Sequence, residues 1–338
     1  MSNLEKKRFE VDQAIRLDRF LTEKLNESRN QIEQLIKKGY VQVFSSTNKE
    51  KKAKTGLKLQ VDDVIELSLF QEDNFASKEI DEAVLEQTEW ADKVKIVYED
   101  TDILILNKPS GVVVHSAPSV KEPTLVDWLK LKGISLSTIS GEERHGIVHR
   151  LDKGTSGLMV IAKTNKAHEA LSLQLQDKTM GRYYLAFIDQ VLKENVSVEK
   201  PIARNRTNRL KMGVVNDGKY AKTSFLKLAT SNNEKYELIA AKLFTGRTHQ
   251  IRVHLESLHR HILGDPLYGF KGKLDKFSRV YLHAFGLYLN HPISGEELNF
   301  YTDLPQDMKS FYFDNFTKET YEEKVDLHFI VHSFNNSF

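Results

Sequence analysis

The chain has 338 residues, of which 40% are hydrophobic and 28% charged, with a formal net charge of +2 and no cysteine. That length is too great for one small core and suits two domains, and the missing cysteine excludes disulfides, thiol nucleophiles and thiolate zinc sites. No run approaches the roughly 18 apolar residues of a membrane span, and the opening MSNLEKKRFEVDQ lacks the apolar core of a signal peptide, so a cytoplasmic protein without membrane contact is expected.

Residues 1–70 form a basic block, with 14 Lys and Arg against 11 Asp and Glu. Within it Leu17, Phe20, Leu21 and Leu25 recur at helical spacing, and Ile32, Leu35 and Ile36 do so after a break, which predicts two short helices. Ser28 with Gln31 fits a capping box at the second helix and Gly39 its C-terminal stop; Lys37 and Lys38 stand in the last turn, where the dipole favours cations. Val41 and Val43 then alternate as a strand. The chain after them, Phe44-Ser45-Ser46, runs into a Lys-rich stretch, so a hairpin longer than a two-residue Asn-Gly turn is expected.

From 71 to 92 one Lys stands against eight acids and periodicity lapses, which reads as a linker apart from a helical turn near Val84 and Leu85. Beyond it KIVYE, ILILNK, GVVVH, GLMVIAK and YYLAFI are short β-rich runs between turn residues, and NKAHEALSLQLQDKT is a helix with Asn165 as its expected cap. The remainder is net positive, most densely from Lys200 to Lys222, where seven cations face one acid. Two basic blocks around an acidic connector suit a protein that faces a polyanion. The expected fold class is α+β: a small α/β module on 1–70, a linker on 71–92, a large mixed and mostly antiparallel sheet domain on 93–316, and an extension on 317–338 that is either a docking helix or a frayed tail.

The segment GIVHRLDKGTSGLMVIAKT, residues 146–164, places Asp152 between the basic pair His149 and Arg150 and a glycine-rich turn that leads into a buried strand. A lone Asp in a turn is ordinarily an Asx-turn or a helix cap. Here flanking motifs elsewhere in the chain reverse that reading. HRLD also looks like the HRD of a kinase loop, but the residue order differs and neither a glycine-rich nucleotide loop nor DFG accompanies it. There is no P-loop, dinucleotide fingerprint or zincin motif, and His249 and His254 lack a third ligand at a recognisable spacing, so neither a metal nor an organic cofactor is expected.

The string HRLDKGTSG resembles the catalytic motif of the RluA-type pseudouridine synthases. NKPSGVVVH (107–115), GRYYLAF (181–187) and LFTGRTHQIRVHL (243–255) resemble further segments of that family in family order, and the stretch from Arg16 to Val43 with LKLQVDDVIELSL resembles the S4 RNA-binding module. The resemblance spans Arg16 to Phe313 and is nearest the RluD type, whose members modify large-subunit ribosomal RNA; a sister type with similar domains modifies other large-subunit uridines, and the core motifs do not separate the two. It implies that a uridine loses its C1′–N1 bond, turns its uracil and rejoins C1′ to C5, with no cofactor. Asp152 matches the essential carboxylate, which is ionised at a reference pKa of about 3.9 and can serve as nucleophile toward C1′ or as base at C2′.

Arg252 matches the arginine that pairs with that carboxylate and opposes its neutralisation by burial. Tyr184 matches the tyrosine that stacks under uracil and assists proton removal from C5, with Tyr183 turned the opposite way into packing, and Leu282 matches the apolar lining of the uracil pocket. Arg150 matches the residue that fills the stack left by a flipped nucleotide or grips its phosphate. By the same resemblance His149 supports the turn or contacts RNA, Lys108 shapes the site wall near phosphate, and Arg204, Arg209 and Lys222 face RNA from the basic run. Arg16, Arg29 and Lys37, with Lys38, do so from the S4-like module. A monomer acting on ribosomal RNA is expected. The rival reading is a noncatalytic S4-type RNA-binding or ribosome-assembly protein, which would have no use for Asp152, Tyr184 and Arg252 together.

Overall fold

The computed structural model describes residues 4–25, 29–70, 84–85, 87–116, 120–139, 145–272 and 276–338. They fall into two compact units, one built from the chain up to residue 81 and the other from most of the remainder. In the first, β1 (Leu4–Glu10), β2 (Val41–Phe44), β3 (Glu50–Lys51) and β4 (Val64–Phe70) pair antiparallel in the order β1-β4-β2-β3. Helices α1 (Leu17–Leu25) and α2 (Arg29–Lys37) bury Leu17, Phe20, Leu21, Ile32 and Leu35 in one core with Val41, Val43, Ile65 and Leu67 of the sheet. The 3.6 and 2 periodicities of the sequence therefore meet in a single apolar layer.

Gly39, at φ 78°, ends α2 with its amide on the Ile36 carbonyl (3.2 Å). Ser28 lies outside the described residues. The β2–β3 turn has five residues, 45–49, and is closed by Ser45, whose amide donates to the Lys49 carbonyl (2.9 Å) and whose Oγ accepts from the Lys49 amide (3.1 Å).

The second unit holds β5 (Lys95–Glu99), β6 (Ile103–Lys108), β7 (Ser156–Ala162), β8 (Gly181–Asp189), β9 (Val196–Glu199), β10 (Ile202–Arg204), β11 (Met212–Val214), β12 (Lys222–Thr230), β13 (Tyr236–Leu243), β14 (His261–Ile262), β15 (Leu282–Asn290) and β16 (Glu297–Tyr301). Its main sheet runs β5-β6-β7-β15-β8-β13-β12-β9, with β14 on β8 and β16 on β15; β10 and β11 form a separate hairpin. Only the β7–β15 pairing is parallel among the described strands, so the mixed, mostly antiparallel sheet is present. Alternate residues of β6 and β7 enter opposite cores, Leu104, Leu106, Met159 and Ile161 on one face and Ile103, Ile105, Leu158 and Val160 on the other. A sheet covered on both faces explains why these strands read as continuous apolar runs.

The helices of this unit are α3 (Leu125–Leu131), α4 (Asn165–Asp177), α5 (Gln250–Glu256), α6 (Gln306–Asn315), α7 (Tyr321–Lys324) and α8 (Leu327–Ser337). Of the alternatives for residues 317–338, the docked helix is found: Tyr321, Ile330 and Phe334 are buried in the larger core. The cap of α4 is Thr164, whose Oγ1 accepts from the Ala167 amide (3.2 Å), and not Asn165, whose Oδ1 instead accepts from the Ser137 hydroxyl (2.8 Å) and the Thr138 amide (3.0 Å). GVVVH is not a strand: Gly111, at φ 89°, turns the chain away from β6, and the Val113 and Val114 carbonyls accept the Leu125 and Val126 amides at the start of α3. Residues 71–83 and 86 of the acidic segment lie outside the described residues, whereas Leu85, Trp90 and Ala91 pack on the larger core. No helix among the described residues is long and apolar enough to cross a membrane.

The parallel pairing depends on Gly157, which faces Ala284 across β7 and β15 at φ 119°. A Cβ there would sit 2.3 Å from the Ala284 carbonyl oxygen and 2.5 Å from its nitrogen. Neither the dihedral nor the approach admits a side chain. Gly157→Ala is expected to cost about 2–4 kcal/mol and to lower the melting temperature by several degrees, as scanning calorimetry would read; an unchanged melt would contradict this close approach.

Candidate active site

The turn that carries Asp152 is fixed by backbone, not by its own side chain. The Thr155 amide donates to the Asp152 carbonyl (3.0 Å), the Gly111 amide to the Lys153 carbonyl (2.8 Å) and the Ser110 hydroxyl to the Gly154 carbonyl (2.9 Å). Lys108 serves this brace. Its ammonium is fully buried and donates to the Pro109 (2.9 Å) and Val112 (3.0 Å) carbonyls, so it holds the 109–112 loop against the turn, and burial pushes the amine down to about 7. That corrects the expected placement of Lys108 near phosphate, because no solvent-facing surface is left for an anion to reach.

Of the two roles expected of His149, support of the turn is the one found. Its imidazole is buried, its Nε2 accepts from the Val160 amide (3.1 Å), and burial, aided by the Arg182 charge, pushes it down to about 3. It is a neutral strut under β7 and offers nothing to RNA. His283, beneath the same turn, is likewise pushed to about 3, by burial first, with its Nδ1 bonded to the Ser156 hydroxyl (2.8 Å).

Arg252 arrives from α5, which begins at His249 in a left-handed conformation (φ 56°). Gln250 ties the loop before it to β12: its Nε2 donates to the Lys222 carbonyl and the Thr223 hydroxyl, both at 2.9 Å, and its Oε1 accepts from the Thr245 hydroxyl (2.7 Å) and the Arg247 amide (2.9 Å). The Arg252 guanidinium is then used on two sides. Nε and Nη2 donate to both oxygens of Asp265 (2.7 and 2.8 Å), while Nη1 donates to Oδ2 of Asp152 (3.1 Å). It also lies 4.7 Å from the centre of the Tyr268 ring. Burial alone would lower its pKa, but the hydrogen bonds and charge of Asp265, with those of Asp152, hold it above the ordinary arginine value.

Tyr268 continues the network. Its hydroxyl accepts from the Met212 amide (2.8 Å) and lies 2.7 Å from Nδ1 of His249, whose Nε2 is 3.8 Å from Oδ2 of Asp152. Burial keeps His249 below its usual pKa, and the ring spans the gap between the Tyr268 hydroxyl and the Asp152 carboxylate.

Tyr184 comes from β8, on the strand face opposite Tyr183, which packs against Tyr288 and Phe334. Burial raises the Tyr184 phenol, Asp152 adds to this and Arg182 opposes it, so the resting group is a phenol. Arg150, Asp152, Arg182, Tyr184, Arg247, Arg252 and Leu282 line one cleft of about 480 Å³ including its mouth. The exposed Arg150 stands at it.

Of the residues singled out from sequence, the structure thus brings together Asp152, Tyr184, Arg252, Leu282 and Arg150. Arg204 and Arg209 are exposed on the β10–β11 hairpin, where an Arg204 Nη1 bond to the Arg209 carbonyl (2.7 Å) closes the turn. Lys222 lies 3.4 Å from Glu199 and over the Phe244 ring. In the N-terminal unit Arg16 clasps the buried Asp18 (2.9 and 3.0 Å) and Lys37 faces Glu33 (3.2 Å); the Arg29 side chain lies outside the described residues. Three site residues escaped the sequence reading. Asp265 and Tyr268 stand in GDPLYG, where an acid between Gly and Pro reads as an ordinary turn, and Arg182 precedes Tyr184 by two, a spacing that places both on one strand face.

One carboxylate on a rigid turn, a guanidinium neutralised on both sides and a buried phenol line one cleft, the arrangement of an enzyme that works through carboxylate chemistry. Residues 102–257 match the family described as RNA pseudouridylate synthase. An uncharacterized RNA pseudouridine synthase of Helicobacter pylori is 46% identical over 326 residues, covering 94% of this chain and 95% of that one. The ribosomal large subunit pseudouridine synthase D of Zymomonas mobilis is 43% identical over 226 residues, 64% of this chain and 71% of that one. Among solved structures, human RNA pseudouridylate synthase domain containing 1 aligns with a TM-score of 0.53 at 25% identity, covering 64% of this chain and 86% of that one. The chain belongs to the RNA pseudouridine synthase family.

Two outcomes follow from this geometry. Asp265→Asn leaves a buried guanidinium with half of its charge partners, and is expected to cost about 3–5 kcal/mol in urea denaturation and to reduce turnover at least about tenfold; full stability would contradict the clamp. His149 and His283 bind a proton in the unfolded chain below about pH 6.5 but in the folded chain only near pH 3, so stability is lost as pH falls through that window. Each contributes at most about 1.4 kcal/mol per pH unit. Denaturation from pH 7 to 4.5 is expected to show this slope, and His149→Gln, which keeps the acceptor for Val160, to reduce it; an identical slope in the variant would contradict a neutral His149.

Proposed function

We propose that this protein isomerises uridine to pseudouridine in large-subunit ribosomal RNA, with Asp152 as the catalytic carboxylate. The observation that carries the reading is the 3.1 Å pair of Arg252 and Asp152, which lines one cleft with Tyr184. The substrate class is supported by the similarity to large-subunit synthases of Zymomonas mobilis and Pseudomonas aeruginosa, the latter 39% identical over 236 residues. On this reading the protein is a cytoplasmic monomer.

Extruding the target uridine costs a few kcal/mol, which Arg150 offsets by occupying the space or gripping the phosphate at the cleft mouth. Asp152 then acts at the ribose, on C1′ or on the C2′ proton, while Arg252 fixes the direction of its free oxygen. Leu282 and Tyr184 sandwich the ring, and the Tyr184 hydroxyl assists departure of the C5 proton after C1′ has joined C5. Arg204, Arg209 and Lys222 contact the RNA backbone around the cleft. The N-terminal unit, an S4-like module on residues 1–70, adds affinity through Arg16, Arg29 and Lys37.

Tritium release from large-subunit RNA labelled at uridine C5 tests this directly. Wild-type protein is expected to release tritium, and Asp152→Asn to bind the RNA with unchanged affinity while losing release by at least about 10⁴-fold, because charge is removed and size kept. Retained release in that variant would remove Asp152 from the chemistry. Filter binding should also weaken steeply with salt through counterion release; salt-independent affinity would contradict the backbone contacts.

A further inference from the structure

Arg182 is the one buried charge lining the cleft that the network around Asp152 leaves unused; Arg150 and Arg247 are exposed. It is 7% exposed, its Nε is buried without a hydrogen-bond partner, and no carboxylate of the described residues pairs with it. Its guanidinium lies against the backbone at Gly246, where an added Cβ would be 3.2 Å from Nη1 and 3.4 Å from Nη2. A buried cation without a partner is costly, and structures normally supply the partner.

The charges of the cleft indicate such a partner. Arg252 is shared between Asp265 and Asp152, so that group of three carries a net negative charge. When C1′–N1 breaks heterolytically, the electron pair leaves with N1, and the uracil becomes a monoanion with charge on its ring nitrogens and carbonyl oxygens. Asp152 quenches C1′ by bonding to it or by taking the C2′ proton; in neither case is the uracil neutralised. Either step also neutralises Asp152, so Arg252 is then balanced by Asp265, and the only buried charge of the cleft left to face the detached ring is Arg182. β8 directs Arg182 and Tyr184 to one face, two residues apart, so the cation stands beside the group that packs on the ring. Arg182 also acts electrically on the Tyr184 phenol, opposing the upward push of burial.

We propose that Arg182 is a further catalytic residue, the counter-ion of the departing uracil anion, donating its N–H groups to the ring's carbonyl oxygens while the ring turns to present C5. The sequence closes without another reactant. C5 forms its bond to C1′, Asp152 is released or returns the C2′ proton, and the proton on C5 leaves as N1 takes one up. The inference rests on the isomerase reading of the site.

The test is single-turnover conversion of one stem-loop carrying uridine or 5-fluorouridine at the target position. 5-Fluorouracil is the stronger acid, so its anion needs less help. Arg182→Met, which keeps the packing and removes the charge, is expected to bind RNA as wild type does but to break the glycosidic bond about 100-fold more slowly with uridine. That deficit should shrink severalfold with 5-fluorouridine. An unchanged rate, or equal deficits on both bases, would overturn the counter-ion role and leave Arg182 as packing. If the methionine variant does not fold, Arg182→Lys carries the same comparison: a deficit within about tenfold, smaller on 5-fluorouridine, is expected, and equal deficits overturn it. A wild-type protein inactive on both substrates would refute the isomerase reading itself.

Discussion

One buried guanidinium organises this molecule's chemistry. Arg252 is almost wholly removed from water, and a charge so placed persists only if nearly every donor is satisfied. Asp265 takes two of its bonds and also accepts the Leu267 and Tyr268 amides, which locks the turn after β14 to α5; Asp152 takes a third bond from a turn 100 residues away. The segment that carries the ion and the two that solvate it are thereby held in one geometry. The catalytic carboxylate is placed by electrostatics on one side and by backbone bonds to the 109–112 loop on the other, and its own side chain remains available to substrate.

The scaffold explains how such precision is reached. Tyr184, Leu282 and the turn bearing Asp152 all issue from the central strands β8, β15 and β7, where both faces of the sheet are buried. Groups carried on strands fixed by packing hold their positions better than groups on surface loops. The exposed arginines, by contrast, lie at the cleft mouth and on the β10–β11 hairpin, where a flexible polyanion can be met at low cost in order.

Much of this was legible because it is local. Leu17 to Leu25 and Ile32 to Ile36 announce helices by spacing, and the β-rich runs from Lys95 onward announce strands. GVVVH misled because three valines carry strand propensity, which Gly111 at positive φ overrides. Asn165 and Thr164 are both good caps, and only the pull of Ser137 on Asn165 decides between them. Lys108 and His149 read as ligand groups because polar residues are normally exposed, whereas here each satisfies backbone groups inside the protein. Asp265, Tyr268 and Arg182 were missed because their meaning lies in tertiary partners, or for Arg182 in the lack of one, and a linear pattern records neither.

The most direct measurement is pseudouridine mapping of large-subunit RNA, by carbodiimide labelling and reverse transcription, in cells with and without this gene. Deletion is expected to remove specific sites, restored by the wild-type gene and not by one encoding Asp152→Asn. A map identical in all four strains would contradict it.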